Sequence, residues 1–133
     1  MPDRHPSPSL IVVVEDNGLL RMNAVTLLED AGYETMDAAD ADTALHIMRA
    51  HWQNVRLLFT DVQMPGDLNG IELAEEVHRC WPDVLLLVTS GDDSFRDDEL
   101  PDDGQFVSKP YLGSTLIAQV HDLIQKGHVG RPC

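Results

Sequence analysis

Along this chain, short runs of branched apolar residues alternate with longer stretches in which apolar positions recur at helical spacing. Leu10-Ile11-Val12-Val13-Val14, Val55-Arg56-Leu57-Leu58-Phe59-Thr60, Val84-Leu85-Leu86-Leu87-Val88 and Phe106-Val107-Ser108 have strand length and β-rich composition. Tyr33 to Ala38 is a weaker strand candidate. Between these runs, Leu20, Ala24, Leu27, Leu28 and Ala31 follow a helical period, with Gly32 placed for a C-terminal cap. Asp40 is placed to cap a second helix carrying Ala44, Leu45 and Met48, with Trp52 near its end. Asn69 is placed to cap a third, with Ile71, Ala74, Val77 and Trp81 on one side and Pro82 as its stop. A last helix carries Leu112, Leu116, Ile117, Val120, Leu123 and Ile124. This alternation predicts an α/β fold: a doubly wound parallel sheet of five strands, helices on both faces, and right-handed crossovers.

Residues 1–8 are polar and proline-rich and read as a disordered lead-in, 9–126 as one domain, and 127–133 as a frayed tail. The weak stretch is 92–99, where Phe95 is the only residue to bury. A helix there would be short and poorly anchored, so the lowest local stability is expected in this segment.

A chain of 133 residues, 43% hydrophobic, can bury a single core without metal or disulfide staples. Cys80 and Cys133 make no disulfide framework, which points to a reduced, cytosolic protein. The net charge of −14 argues against non-specific binding to nucleic acid or anionic lipid. Met1 to Ser9 does not resemble a signal peptide, and no run reaches membrane-spanning length. The expected partners are therefore proteins, with no nucleic acid and no membrane. The histidines show no zinc spacing, and His46, His51, His78 and His121 are expected on helix surfaces.

The chemistry gathers where the apolar runs end. Parallel strands would bring their carboxyl ends to one edge of the sheet, where open α/β sheets place ligands. Those ends read Glu15-Asp16, Asp61, Thr89-Ser90-Gly91 and Lys109-Pro110. Magnesium takes hard oxygen ligands, which Glu15, Asp16 and Asp61 can offer, and clustered carboxylates repel one another unless a cation intervenes. Asp61 is the candidate nucleophile, since a carboxylate can accept a phosphoryl group as an acyl phosphate. The Lys109 ammonium and the Thr89 hydroxyl can neutralise and bond the phosphoryl oxygens. The Lys109–Pro110 bond is of the type that can be cis. Taken singly, acids after strands are usually loop residues or caps, and a lone lysine a snorkelling surface residue. Their conjunction points to phosphoryl chemistry.

At these residues the sequence resembles the receiver domain of bacterial two-component response regulators. The matching stretches are Val13-Val14-Glu15-Asp16-Asn17, Asp61-Val62-Gln63-Met64-Pro65-Gly66, Thr89-Ser90-Gly91 and Lys109-Pro110-Tyr111. The resemblance implies a flavodoxin-like strand order 2-1-3-4-5. It further implies Glu15 and Asp16 as the acidic pair and Asp61 as the phosphoacceptor. Thr89 and Lys109 become the phosphate-sensing hydroxyl and the site lysine, and the Gln63 backbone carbonyl a Mg2+ ligand. Phe106, three residues before Lys109, is either an aromatic switch linked to Thr89 or a permanent core residue. Two departures from the family pattern are a turn one residue longer between Pro65 and Gly70 and the acidic segment after Gly91. The implied partners are a histidine kinase or phosphotransfer protein and a downstream protein target, and a homodimer is left open. Such a protein catalyses only its own phosphorylation and dephosphorylation, so it is not expected to be an enzyme with separate turnover. The alternatives are a Mg-dependent phosphatase with an Asp nucleophile, whose second acid is here Gln63, and an unphosphorylated interaction scaffold. The lead-in and short tail favour a complete single-domain regulator over a receiver cut from a longer chain.

Overall fold

The computed structural model describes residues 10–64, 66, 68–91, 100 and 104–129, with side chains through Gln125. Five strands, β1 (Leu10–Val14), β2 (Glu34–Ala38), β3 (Val55–Asp61), β4 (Leu85–Ser90) and β5 (Gln105–Ser108), form one parallel sheet in the order β2-β1-β3-β4-β5. The described helices are α1 (Gly18–Asp30), α2 (Ala41–His51), α3 (Gly70–Cys80) and α4 (Gly113–Val129).

Side chains alternate across β1, β3, β4 and β5 and so feed two cores. Val12, Val14, Leu58, Leu86 and Val88 pack with Ala44 and Met48 of α2 and with Leu73 and Val77 of α3. Ile11, Val13, Leu57, Phe59, Leu85 and Leu87 pack with Ala24 and Leu28 of α1 and with Leu116, Val120 and Leu123 of α4. Strands buried on both faces have no polar side, which is why β1 and the middle of β4 are unbroken apolar runs.

The helix starts follow their caps. Asp40 Oδ1 accepts from the Thr43 N–H, and Asn69 and Glu72 form a reciprocal capping box on α3. Asn17 caps α1 by accepting from the Leu19 and Leu20 N–H groups. Gly32, just past the end of α1, has φ +99°, a left-handed turn that glycine adopts without strain.

Several local expectations shift. Leu20 lies on the open side of α1, whose buried residues are Ala24 and Leu28. Trp52 sits in a 3-10 turn (Trp52–Asn54) and remains exposed. His51 and His78 are half-buried rather than on the open surface. α4 begins at Gly113, leaving Leu112 exposed, and continues to Val129, three residues past the expected domain end at 126. Backbone hydrogen bonding can carry a helix beyond its last packed residue, and Gly127 costs such a helix only about 1 kcal/mol. The lead-in 1–8, the acidic segment 92–99 and residues 130–133 lie outside the described residues.

Candidate functional site

The strand order sends the chain one way from β1 and the other way to β3, so the carboxyl ends of these neighbours flank a crevice. Asp61 is the last residue of β3, 5% exposed, and pairs in register with Thr89 of β4. Glu15 follows β1 at 7% exposure, and Asp16 is exposed beside it. Backbone bonds prolong the ladder past the strands. The Glu15 N–H donates to Ala38 O at 3.0 Å, Val62 N–H to Thr89 O at 3.0 Å, and Lys109 N–H to Ser90 O at 2.9 Å. The site residues thus ride on the rigid edge of the sheet.

One oxygen from each of Glu15, Asp16 and Asp61 lies within 4.8 Å of the other two. Lys109 Nζ donates to Asp61 Oδ2 at 2.8 Å and to Glu15 Oε1 at 3.3 Å. The Gln63 N–H donates to Asp61 Oδ1 at 3.3 Å. The Lys109–Pro110 peptide is cis. Burial holds the Glu15 carboxyl above its ordinary value and the Asp61 charge adds to this, while the Asn17 N–H and Lys109 pull it back. Burial taken alone would lower the Lys109 ammonium, but its bonds to Asp61 and the charges of both carboxylates hold it above the usual lysine range.

Thr89 Oγ1 is buried and has no hydrogen-bond partner among the described residues. A buried unpaired hydroxyl costs about 1–3 kcal/mol, which makes it an acceptor or donor in waiting. Phe106 is half-buried against the core under α2 and α3. The sequence therefore brought five residues to one place, Glu15, Asp16, Asp61, Lys109 and, by strand register, Thr89.

Three further residues support the site, two of them inside the matching stretches but with no role implied for them there. Asn17 bonds Glu15 Oε2 through its N–H at 3.1 Å while capping α1, and an Asn before an apolar period is a signal that could have found it. Tyr111 packs edge-on against Phe59 with ring centroids 6.0 Å apart, and burial pushes its phenol up. Arg21 donates to the Glu15 carbonyl, a contact that apolar periodicity does not reveal.

Three carboxylates cluster here, two of them paired with one ammonium, and all the candidate ligands are hard oxygens. That donor set fits a small divalent cation such as Mg2+, which prefers carboxylates and retained water to a closed protein cage.

The response regulator receiver domain model matches residues 11–121. Sensor kinase CckA of Brucella abortus is 32% identical over 120 residues, which are 87% of this chain and 12% of that protein. The solved receiver domain of the hybrid histidine kinase CckA superposes with a TM-score of 0.76 at 30% identity, covering 87% of this chain and 99% of that one. The response regulator TrrA of Thermotoga maritima, solved in complex with Mg(2+)-BeF, gives 0.75 at 26% identity, covering 86% and 98%. The chain spans 12% to 52% of the length of the first curated relatives it matches. Among the described residues, no helix is long and apolar enough to cross a membrane.

Proposed function

The chain belongs to the response regulator receiver family, the phosphoacceptor domains of two-component signalling, and from that premise we propose that Asp61 is its phosphoacceptor. A carboxylate oxygen of Asp61 attacks the phosphorus of a phosphohistidine. The O–P bond forms as the N–P bond breaks, and the imidazole leaves with the electron pair. Phosphoryl transfer of this kind is mostly positioning and charge stabilisation. Lys109, already 2.8 Å from Asp61 Oδ2, offers its ammonium to one phosphoryl oxygen, and the Thr89 hydroxyl bonds another. Glu15, Asp16, Asp61 and the Gln63 carbonyl would hold Mg2+, which when bound neutralises phosphoryl charge and orients the group. The acyl phosphate is hydrolysed in the same site, with no separate substrate.

The observation that carries this reading is the grip of one lysine on two carboxylates of a three-acid cluster. The test is to incubate the chain with acetyl phosphate, with and without Mg2+, and map the modified peptide. Magnesium-dependent labelling of Asp61 is expected. Labelling at another residue, or none, would reject the assignment, and turnover of a generic phosphate ester would favour a phosphatase instead.

The partners are a histidine kinase or phosphotransfer protein upstream and a protein target downstream, in the cytoplasm, with no nucleic acid or membrane contact. Thr89 moving onto the phosphoryl group would vacate space for Phe106, whose backbone pairs with Val88 next to Thr89. Thr89→Val tests this directly. Removing the unpaired hydroxyl leaves the metal-free domain as stable as before, or about 1 kcal/mol more so in denaturant titration. The beryllofluoride-induced spectral change around Phe106 is then lost. A Thr89→Val protein that still shows the full change would remove Thr89 from the switch.

A further inference from the structure

The first turns of α1 carry an arginine that turns back toward the sheet edge. Arg21 Nη1 donates to the Glu15 carbonyl at 2.8 Å, and its Nε donates to Asp37 Oδ2 of β2 at 2.9 Å. Its Nη2 lies 3.9 Å from where a side chain on Gly18 would begin. The guanidinium therefore lies across the loop that joins β1 to α1, tied to both the loop and β2.

We infer that Arg21 is a positioning residue for the divalent-cation site, fixing the direction from which Glu15 and Asp16 present their carboxylates. This rests on the reading of the acidic cluster as a Mg2+ site. The Glu15 carbonyl and the Asp16 N–H belong to one planar peptide unit, so a carbonyl held in place fixes the start of Asp16 as well. On either side of that plane the loop is anchored by the Glu15 N–H on Ala38 O and the Asn17 N–H on Glu15 Oε2. Arg21 supplies the anchor between them. Two acceptors on two different elements call for a planar fork, which lysine does not possess. The Arg21–Asp37 ion pair, with side chains 25% and 48% exposed, contributes little stability of its own, so its effect is on orientation.

A purely electrostatic role predicts the opposite sign. Taking a positive charge away from a cation site tightens Mg2+ binding, whereas taking away the support of its ligands weakens it. The experiment compares the parent chain, Arg21→Ala and Arg21→Lys by Mg2+ calorimetry, amide hydrogen exchange and thermal melting. In Arg21→Ala the Mg2+ dissociation constant rises about tenfold, the low end for loss of a group that orients metal ligands. Exchange at the Asp16 and Asn17 amides accelerates in the metal-free protein, while the β1 amides and the melting midpoint hardly move. Arg21→Lys, which keeps the charge, recovers only part of the affinity. Unchanged or tighter binding in Arg21→Ala, or full recovery by Arg21→Lys, overturns the inference. A parent chain that binds no Mg2+ defeats the metal reading, and amide exchange then still decides whether Arg21 holds the loop: unaltered exchange overturns that too.

Discussion

Lys109→Met slows phosphoryl labelling of Asp61 by about 100-fold or more, yet binds Mg2+ more tightly than the parent. The two effects have one origin. Lys109 Nζ lies 2.8 Å from Asp61 Oδ2 and 3.3 Å from Glu15 Oε1 and competes with any divalent ion for the same negative charge. Removing it leaves the carboxylates unshared, which favours the ion. The transferring phosphoryl group loses its fixed cationic donor, and loss of one such donor typically costs 10²–10³ in rate. The metal-free domain is also destabilised, because two buried carboxylates are left facing each other. Lys109 is 25% exposed, so water screens part of that repulsion and the loss is about 1–3 kcal/mol. Added Mg2+ restores most of it. Labelling kinetics, calorimetry and melting with and without Mg2+ separate the three effects. Weaker Mg2+ binding in a folded Lys109→Met protein would contradict this account.

The strand ends were legible in the sequence because they obey two rules that sequence displays directly. Branched apolar runs such as Leu10 to Val14 mark strands buried on both faces. The residues that end or follow each parallel strand then fall on the ligand edge. Glu15, Asp61 and Lys109 could therefore be placed together from residues far apart in the chain, and the observed 2.8 Å and 3.3 Å contacts are the outcome. Caps were legible where a polar residue preceded a strong apolar period, as at Asp40 and Asn69. α1 was read less well because its apolar residues do not share one face. Leu19, Leu20 and Met22 are exposed while Ala24 and Leu28 carry the packing. Arg21 was illegible for a different reason. Its role depends on Asp37, sixteen residues away, and on a backbone carbonyl, and neither leaves a trace in spacing or composition.

Gly70→Ala unfolds the site from behind and costs about 3 kcal/mol of stability, the upper part of the range for forcing extra atoms into packed surroundings. Gly70 opens α3 directly beneath β3, and its N–H donates to Val62 O at 2.7 Å. A Cβ built there would stand 1.9 Å from the Asp61 carbonyl oxygen, 2.7 Å from its carbonyl carbon and 2.8 Å from the Val62 Cα. All three are backbone atoms, so no side chain can rotate away and the loop after Asp61 must move as a unit. The gain in helix propensity from Gly to Ala, about 1 kcal/mol, is too small to offset that displacement. Asp61 would then lose its register beside Thr89 and its bond from the Gln63 N–H, and both Mg2+ affinity and phosphoryl labelling fall with stability. Gly113→Ala is the matched control. Its Cβ would meet Leu27 Cδ2 at 2.8 Å, the free end of a flexible side chain that can swing aside at a cost of about 1 kcal/mol. Denaturant titration of the two variants, with Mg2+ calorimetry on each, distinguishes a backbone collision at the site from ordinary crowding between helices. A Gly70→Ala protein as stable as the parent, with undiminished Mg2+ affinity, would mean that the Asp61 loop is not held against α3 as described.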